Sequence, residues 1–267
     1  MAKKGIINQK RSKEVDRMLK EERYDKILQI LSEQQYVSAE KLAERLYVSL
    51  PTIRRDLAEL QRRNQVVRSH GGAKKVQPEH TVAPLDFRKT IRAGEKRTLC
   101  RAAAGLVSDN DIIFIDASTT TLQMADFLSE KKNLTVITNG LPLAILLIHK
   151  GIKTYCTGGE IFETSLAHYG SFAEDFIRRF NLDLVLISCH GVNDDGMLTD
   201  PSLFETQIRR VAIGQGKKTV FLCDEAKLSL STPYNLAHLN EMDYIVTNSE
   251  KVKNFLKEKD HHKIIKV

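Results

Sequence analysis

Val48-Ser49-Leu50-Pro51-Thr52-Ile53-Arg54-Arg55-Asp56-Leu57 opens on a serine placed to cap a helix, with Pro51 in the first turn, where its missing N–H does no harm. Ile53, Leu57 and Leu60 then fall on one face of that helix, and at about 100° per residue Arg54 and Arg55 point away from it. Upstream, Ser38 is placed to cap a helix whose apolar face is Leu42, Ala43 and Leu46, and Ile27, Ile30 and Leu31 mark an earlier one. Tyr47-Val48-Ser49 between the second and third helices has the length of a helix-turn-helix corner. Downstream of Asn64, Val66, Arg68 and His70 alternate with Val67 and Ser69 and run into Gly71-Gly72, which reads as a hairpin strand with a glycine turn. Such a helix presents Thr52, Arg54 and Arg55 to base edges and phosphates of a major groove, while Arg68 and His70 serve as a wing. With the cap serines Ser38 and Ser49 they form the candidate DNA contacts. The competing reading is a small helical bundle whose arginines pair with Asp56 and Glu59.

The charge distribution is compatible with nucleic acid or with a solvated basic surface. Residues 1–75 hold 18 Lys and Arg against 10 Asp and Glu, a net +8 within a chain of net +7; the remainder is close to neutral. A basic head on a neutral body suits one region that meets a polyanion and another with a different task. With 42% hydrophobic residues, the 267-residue chain can bury a full core, which excludes wholesale disorder. Its longest apolar run, around Leu141–Ile148, is too short to span a membrane, and no apolar h-region follows the basic start. Cys100, Cys156, Cys189 and Cys223 are scattered, as expected of buried thiols in a reducing compartment; a cytoplasmic location follows.

Residues 1–20 read as a basic polar extension, 21–75 as the DNA-binding head and 76–92, with Pro78 and Pro84 and little periodicity, as a linker. Residues 93–267 alternate strand and helix. Strands are expected at Ile112–Asp116, Thr135–Asn139, Lys153–Thr157, Leu184–Cys189, Thr219–Cys223, Tyr244–Thr247 and Ile264–Val267. Helices are expected at Lys96–Val107, Leu122–Glu130, Pro142–His149, Phe172–Phe180, Leu203–Gly214 and Glu250–Lys257. That order predicts an α/β domain with a doubly wound, mostly parallel sheet covered on both faces.

Ligands of such sheets bind at the carboxyl ends of strands, and here five strands end in polar turns. Asp116 is followed by Ala117-Ser118-Thr119-Thr120-Thr121 and an amphipathic helix, an arrangement of free N–H groups and hydroxyls suited to an anion, although Ser and Thr are also ordinary caps. The others are Thr138-Asn139-Gly140, Thr157-Gly158-Gly159-Glu160, Ser188-Cys189-His190-Gly191 and Asp224-Glu225-Ala226-Lys227. Lys227 is a candidate partner for a ligand anion, or else a surface partner of Asp224. There is no Walker-type glycine loop or H-E-x-x-H pair, and Gly214-Gln215-Gly216 precedes a strand instead of following one. His261-His262 reads as solvated; no metal and no cofactor are expected.

The Val48–Leu57 stretch, taken with Val66-Val67-Arg68-Ser69-His70-Gly71-Gly72-Ala73, resembles the winged-helix signature of DeoR-type bacterial transcription regulators, departing at Leu50-Pro51, where the family usually has polar or small residues. The resemblance runs from about residue 22 to 250. It implies a C-terminal sugar-phosphate-sensing domain similar in fold to ribose-5-phosphate isomerase and the CoA transferases. It further implies a phosphate loop at Asp116 and Ser118–Thr121, and a sugar site lined by Asn139, Gly158, Gly159, Gly191, Glu205, Asp224 and Lys227. Where the family usually has glycine, this chain has Ser118, which would be strained if the position needs φ > 0. The resemblance implies a homo-oligomeric repressor of a sugar-metabolism operon, released from double-stranded operator DNA by a phosphorylated sugar. The alternative is a sugar-phosphate isomerase or transferase carrying a DNA-binding head, with Glu160, Glu205 and Asp224 as possible bases.

Overall fold

In the computed structural model the described residues are 20–34, 36–62, 65–69, 71–75 and 85–267. They fall into two compact units that divide between residues 83 and 84.

The first unit comprises α1 (Lys20–Glu33), β1 (Val37–Ser38), α2 (Ala39–Leu46), α3 (Leu50–Arg62), β2 (Val66–Ser69) and β3 (Gly72–Lys75). The periodic residues do what their spacing predicts. Ile27, Leu31, Leu42, Leu46, Ile53, Leu57 and Leu60 form one core with Tyr24, Val37, Val66 and Ala73. Between α2 and α3 the chain reverses through Tyr47, held at φ 53° while the Val48 N–H bonds back to the Ala43 carbonyl at 3.1 Å. This left-handed residue costs roughly 1–2 kcal/mol, offset by satisfying carbonyls at the helix end. Leu50 packs against the core and Pro51 stays exposed, so the departure from the family pattern falls at the helix start. The wing is a three-stranded antiparallel sheet of order β1-β3-β2. Of its two glycines, Gly71 takes the positive φ of the turn; Gly72 lies in β3, where a Cβ would meet the Val37 carbonyl at 2.5 Å.

The second unit begins with α4 (Leu85–Thr90) and α5 (Ala93–Ala104), so the expected linker is helical where it is described; residues 76–84 lie outside the described residues. Then come β4 (Ile112–Ile115), a 3-10 helix (Thr121–Phe127), β5 (Thr135–Thr138), α6 (Leu141–His149), β6 (Lys153–Cys156), the hairpin β7 (Glu160–Phe162) and β8 (Ala167–Tyr169), and α7 (Ser171–Ile177). The rest is β9 (Leu184–Ile187), β10 (Gly191–Val192), β11 (Met197–Asp200), α8 (Leu203–Gln215), β12 (Thr219–Cys223), β13 (Tyr234–His238), β14 (Tyr244–Thr247), a 3-10 helix (Glu250–Phe255) and β15 (Ile264–Lys266). Seven strands form one parallel sheet of order β15-β14-β12-β9-β4-β5-β6. Both faces are buried. Ile113, Ile115, Val136, Leu184, Leu186, Val220 and Leu222 face one core, and Phe114, Ile137, Val185, Ile187, Phe221 and Ile245 the other.

All seven sheet strands lie where the apolar runs predicted them. The differences are local. Leu122–Glu130 and Glu250–Lys257, expected as helices, are short 3-10 segments. The hairpin β7–β8 and the small antiparallel sheet β10-β11-β13 were not expected, because strands of two to five residues with mixed polarity carry no periodic signal.

Candidate functional site

On the first unit, the Ser38 Oγ accepts from the Lys41 N–H at 3.2 Å, and the Ser49 Oγ accepts from the Thr52 N–H at 3.3 Å and shares a proton with the Thr52 hydroxyl at 2.8 Å. Both serines are therefore helix caps whose hydroxyls face the N-termini of α2 and α3. Arg54 and Arg55 are exposed on α3 and make no ion pair among the described residues. Their expected competitor Asp56 is 1% exposed and is held instead by Arg23 of α1, whose Nη2 donates to it at 3.1 Å. The small-bundle reading fails at this point: the acid turns inward to α1 and the two arginines are left to solvent. Arg54, Gln61 and the exposed wing residue Arg68 line one concavity with Gly71 and Gly72. His70 lies outside the described residues.

On the second unit, β4 has β5 on one side and β9 on the other, so the chain changes winding direction between β4 and β9. The crevice outside the carboxyl ends of these two strands is where a doubly wound sheet takes its ligand. Asp116 sits there, 1% exposed, accepting from the Thr121 hydroxyl at 2.7 Å, the N–H groups of Ser118 and Ser188 at 3.3 Å each, and Arg209 Nε at 2.7 Å. Arg209, from α8, also donates to Asp200 at 2.9 Å. Burial opposes its charge, yet Asp200 and Asp116 hold the guanidinium above its ordinary pKa. Ser118 has no positive φ, so the expected strain is absent. Its hydroxyl accepts from the Thr121 N–H at 3.1 Å, which takes that N–H away from any ligand.

The neighbouring Thr119–Thr120 segment is buried and carries two cations on its hydroxyls. Lys227 Nζ donates to the Thr120 hydroxyl at 3.2 Å and to the Ser188 hydroxyl, and lies 3.8 Å from Asp224. Lys96 Nζ, from α5, donates to the Thr119 hydroxyl at 3.0 Å and to the Arg88 carbonyl at 2.6 Å. Lys96 is buried; desolvation, helped by the Lys227 charge and opposed by Asp224, pulls its ammonium down to about 8. Arg92, at φ 52°, reaches Asp224 at 3.6 Å. Arg88, His190 and Arg209 all lie within electrostatic reach of Glu205, which is buried and makes no side-chain hydrogen bond to the described residues.

The structure thus brings Asp116, Ser118, Thr119, Thr120, Thr121, Asp224 and Lys227 into one connected cluster, with Glu205 beside it. The remaining expected site residues stand apart from its contacts. Asn139, at the end of β5, donates to the His168 carbonyl at 3.2 Å, and its Oδ1 is buried without a partner. Gly158 and Gly159 take positive φ next to the β7–β8 hairpin, and a Cβ on Gly159 would meet the Tyr169 carbonyl at 2.6 Å. Gly191 is a glycine for packing: a Cβ there would lie 2.2 Å from the Leu230 carbonyl. Glu160 is exposed and accepts from the Tyr169 hydroxyl at 2.8 Å, so its partner is already in the hairpin. Among the described residues no cluster of His, Cys, Asp and Glu could hold a metal ion.

A basic helix-turn-helix with a wing, joined to a parallel α/β unit with a cationic crevice, agrees with what other sequences show. Residues 23–79 match the DeoR-like helix-turn-helix domain, and residues 91–264 match the DeoR C terminal sensor domain. The chain belongs to the DeoR family of transcriptional regulators. The Transcriptional repressor AccR of Agrobacterium fabrum is 31% identical to it, over 86% of this chain and 90% of that protein. The Glycerol-3-phosphate regulon repressor of Escherichia coli is 30% identical, over 87% and 92%. Among solved structures, ribose 5 phosphate isomerase A from Neisseria gonorrhoeae overlaps 51% of this chain and 53% of its own, at 16% identity and a TM-score of 0.38. As a DeoR-family member the chain is a DNA-binding regulator with a small-molecule sensor domain, and the enzyme alternative falls. No helix among the described residues is long and apolar enough to cross a membrane.

Reading the sequence alone missed Arg88, Lys96 and Arg209 of this crevice, whereas Ser188 stood in one of the expected polar turns. Lys96 carried a usable signal: it stands on the same helical face as Leu99, Cys100 and Ala103, a lysine at a core position. Arg88 and Arg209 carried none, since Thr164 and Asp116 stand 76 and 93 residues from them, and Asp200, nine residues before Arg209, lies on a different element.

Proposed function

We propose that this regulator represses transcription by binding a two-fold operator through α3 and the wing, and that a phosphorylated sugar or similar small anion in the β4–β9 crevice releases it. The observation that carries the sensing half is the pair of ammonium groups, Lys96 and Lys227, set on the hydroxyls of successive threonines Thr119 and Thr120. Two like charges held this close, partly desolvated, favour a dianion between them, and Asp224 alone offers only part of that compensation. Glu205 and Asp224 are acceptors for the hydroxyls of the sugar. Among relatives, a glycerol-3-phosphate regulon repressor supports a phosphate ester as ligand class. On the head, Thr52, Arg54 and Arg55 would read the major groove, with Arg68 and His70 on the flanking backbone or minor groove and Ser38 and Ser49 at phosphates. Two heads of a homodimer or homotetramer would engage half-sites about 34 Å apart. A tenfold release needs only about 1.4 kcal/mol of coupling between the ligand and DNA states.

The test is thermal unfolding of the full chain against sugar phosphates, with the matching free sugars as controls. A ligand at 100 times its Kd stabilises by about 2.7 kcal/mol. A rise with one phosphorylated sugar and none with its free form is expected; no rise with any phosphate overturns the sensing half and leaves the DNA half standing.

A further inference from the structure

Lys96 does more in this fold than add charge to the crevice. Its ammonium is a bridge: one donor goes to Thr119 on the anion-facing turn, another to the backbone carbonyl of Arg88 in α4. The segment 85–92 lies along the crevice like a strap. Arg88 Nη2 donates to the Thr164 carbonyl at 3.2 Å, and Arg92, in left-handed backbone, reaches Asp224. This strap is also the first described stretch after the division at 83 and 84, so it is the piece of the second unit covalently nearest the DNA-binding head. We propose that Lys96 is a direct ligand of the effector's anionic group and the positioning residue that passes binding on to the strap 85–92. The proposal rests on the anion-sensing reading above. Physically, two of the three ammonium donors are spent on Thr119 and the Arg88 carbonyl, so an anion beside Thr119 takes the third and draws the ammonium toward itself, which alters the bond to the carbonyl. The two demands on one ammonium place the strap in a different balance of contacts in the free and bound states, and a differential contact is what a ligand needs to shift an equilibrium. An arginine at 96 keeps a cation for the anion but cannot reproduce the compact ammonium geometry at both acceptors.

The experiment uses the full-length chain and K96M and K96R variants, titrated with glycerol 3-phosphate, ribose 5-phosphate, fructose 1-phosphate, glucose 6-phosphate and inorganic phosphate. Calorimetry reads affinity, and amide hydrogen exchange reads residues 85–92 and 116–121 separately. In the wild type, the compound that binds should alter exchange in both segments. K96M should bind it at least about tenfold more weakly, and at saturation alter 116–121 alone; K96R should recover part of the affinity. Wild-type affinity should also fall about tenfold between pH 7 and pH 9, as a bound anion requires the protonated ammonium, and K96R should abolish that fall. The charged and titratable groups facing Lys96 are Arg88, Arg92, Asp224, Lys227 and the Cys100 thiol; burial pushes that thiol up to about 12, outside this range. If K96M does not fold, the wild-type exchange and the K96R pH profile decide. Altered exchange at 116–121 without any change at 85–92 in the wild type overturns the proposal, as does a K96M that binds as tightly as wild type. Binding of none of the five compounds to the wild type overturns the anion-sensing reading itself.

Discussion

Arg54 and Arg55 stand exposed on α3 with no ion pair among the described residues, so removing either guanidinium strands no described partner. Arg54→Ala and Arg55→Ala should each weaken operator binding by about 1–3 kcal/mol in a gel-shift titration, with effector affinity unchanged. Asp56, next in sequence, behaves oppositely. It is buried on Arg23, and Asp56→Ala should destabilise the head by about 3–5 kcal/mol, read as a lower denaturation midpoint, because a partly buried guanidinium loses a buried carboxylate partner. Nothing in the spacing of the three residues separates these fates; the partner on α1 does. Lys96 carries a pH dependence of the free protein. Its folded pKa of about 8 lies below the ordinary 10.5, so between those values the unfolded chain binds more protons than the folded one. Stability from this group therefore rises with pH across that window and is flat below it. The difference in unfolding free energy between wild type and K96M, followed from pH 7 to 10.5, should show that rise; a constant difference would remove the desolvated lysine from the account.

At the scale of elements, the turn after β4 is closed by a serine hydroxyl. Ser118 takes the Thr121 N–H and keeps ordinary backbone, which is why a side chain is tolerated there without strain. Ser118→Ala should lower stability by about 1 kcal/mol, as for other lost caps, while Ser118→Gly costs only a few tenths, both readable by chemical denaturation. Gly191 is constrained by space instead. Its Cα faces the Leu230 carbonyl, and Gly191→Ala must push β10 off that neighbour at about 1–3 kcal/mol. The strands of the main sheet were legible because each is a short apolar run with both faces covered. The helix α4 was not, since six residues beside Pro84 fall below any periodic signal, and neither was the hairpin β7–β8, whose strands are three residues each.

For the whole molecule, the excess charge lies in the first 75 residues and the remainder is near neutral. Operator affinity should therefore fall linearly with the logarithm of salt concentration through counterion release. Effector affinity, set by partly buried groups that are screened less, should change far less over the same range. Equal salt slopes for both would mean that the effector site is a surface charge effect.

The seven strands of the main sheet, the three helices of the head and the polar ends of the strands were legible from local information: helical periodicity, apolar runs and turn residues act over a few positions. Which polar ends cooperate was decided only in three dimensions. The winding reversal sets Asp116 beside Ser188, and Arg209 arrives from a helix distant in the chain. A charge buried among partners so far apart in sequence leaves no pattern within any short window, because the low dielectric that gives it meaning exists only once the sheet and its covering helices have closed around it.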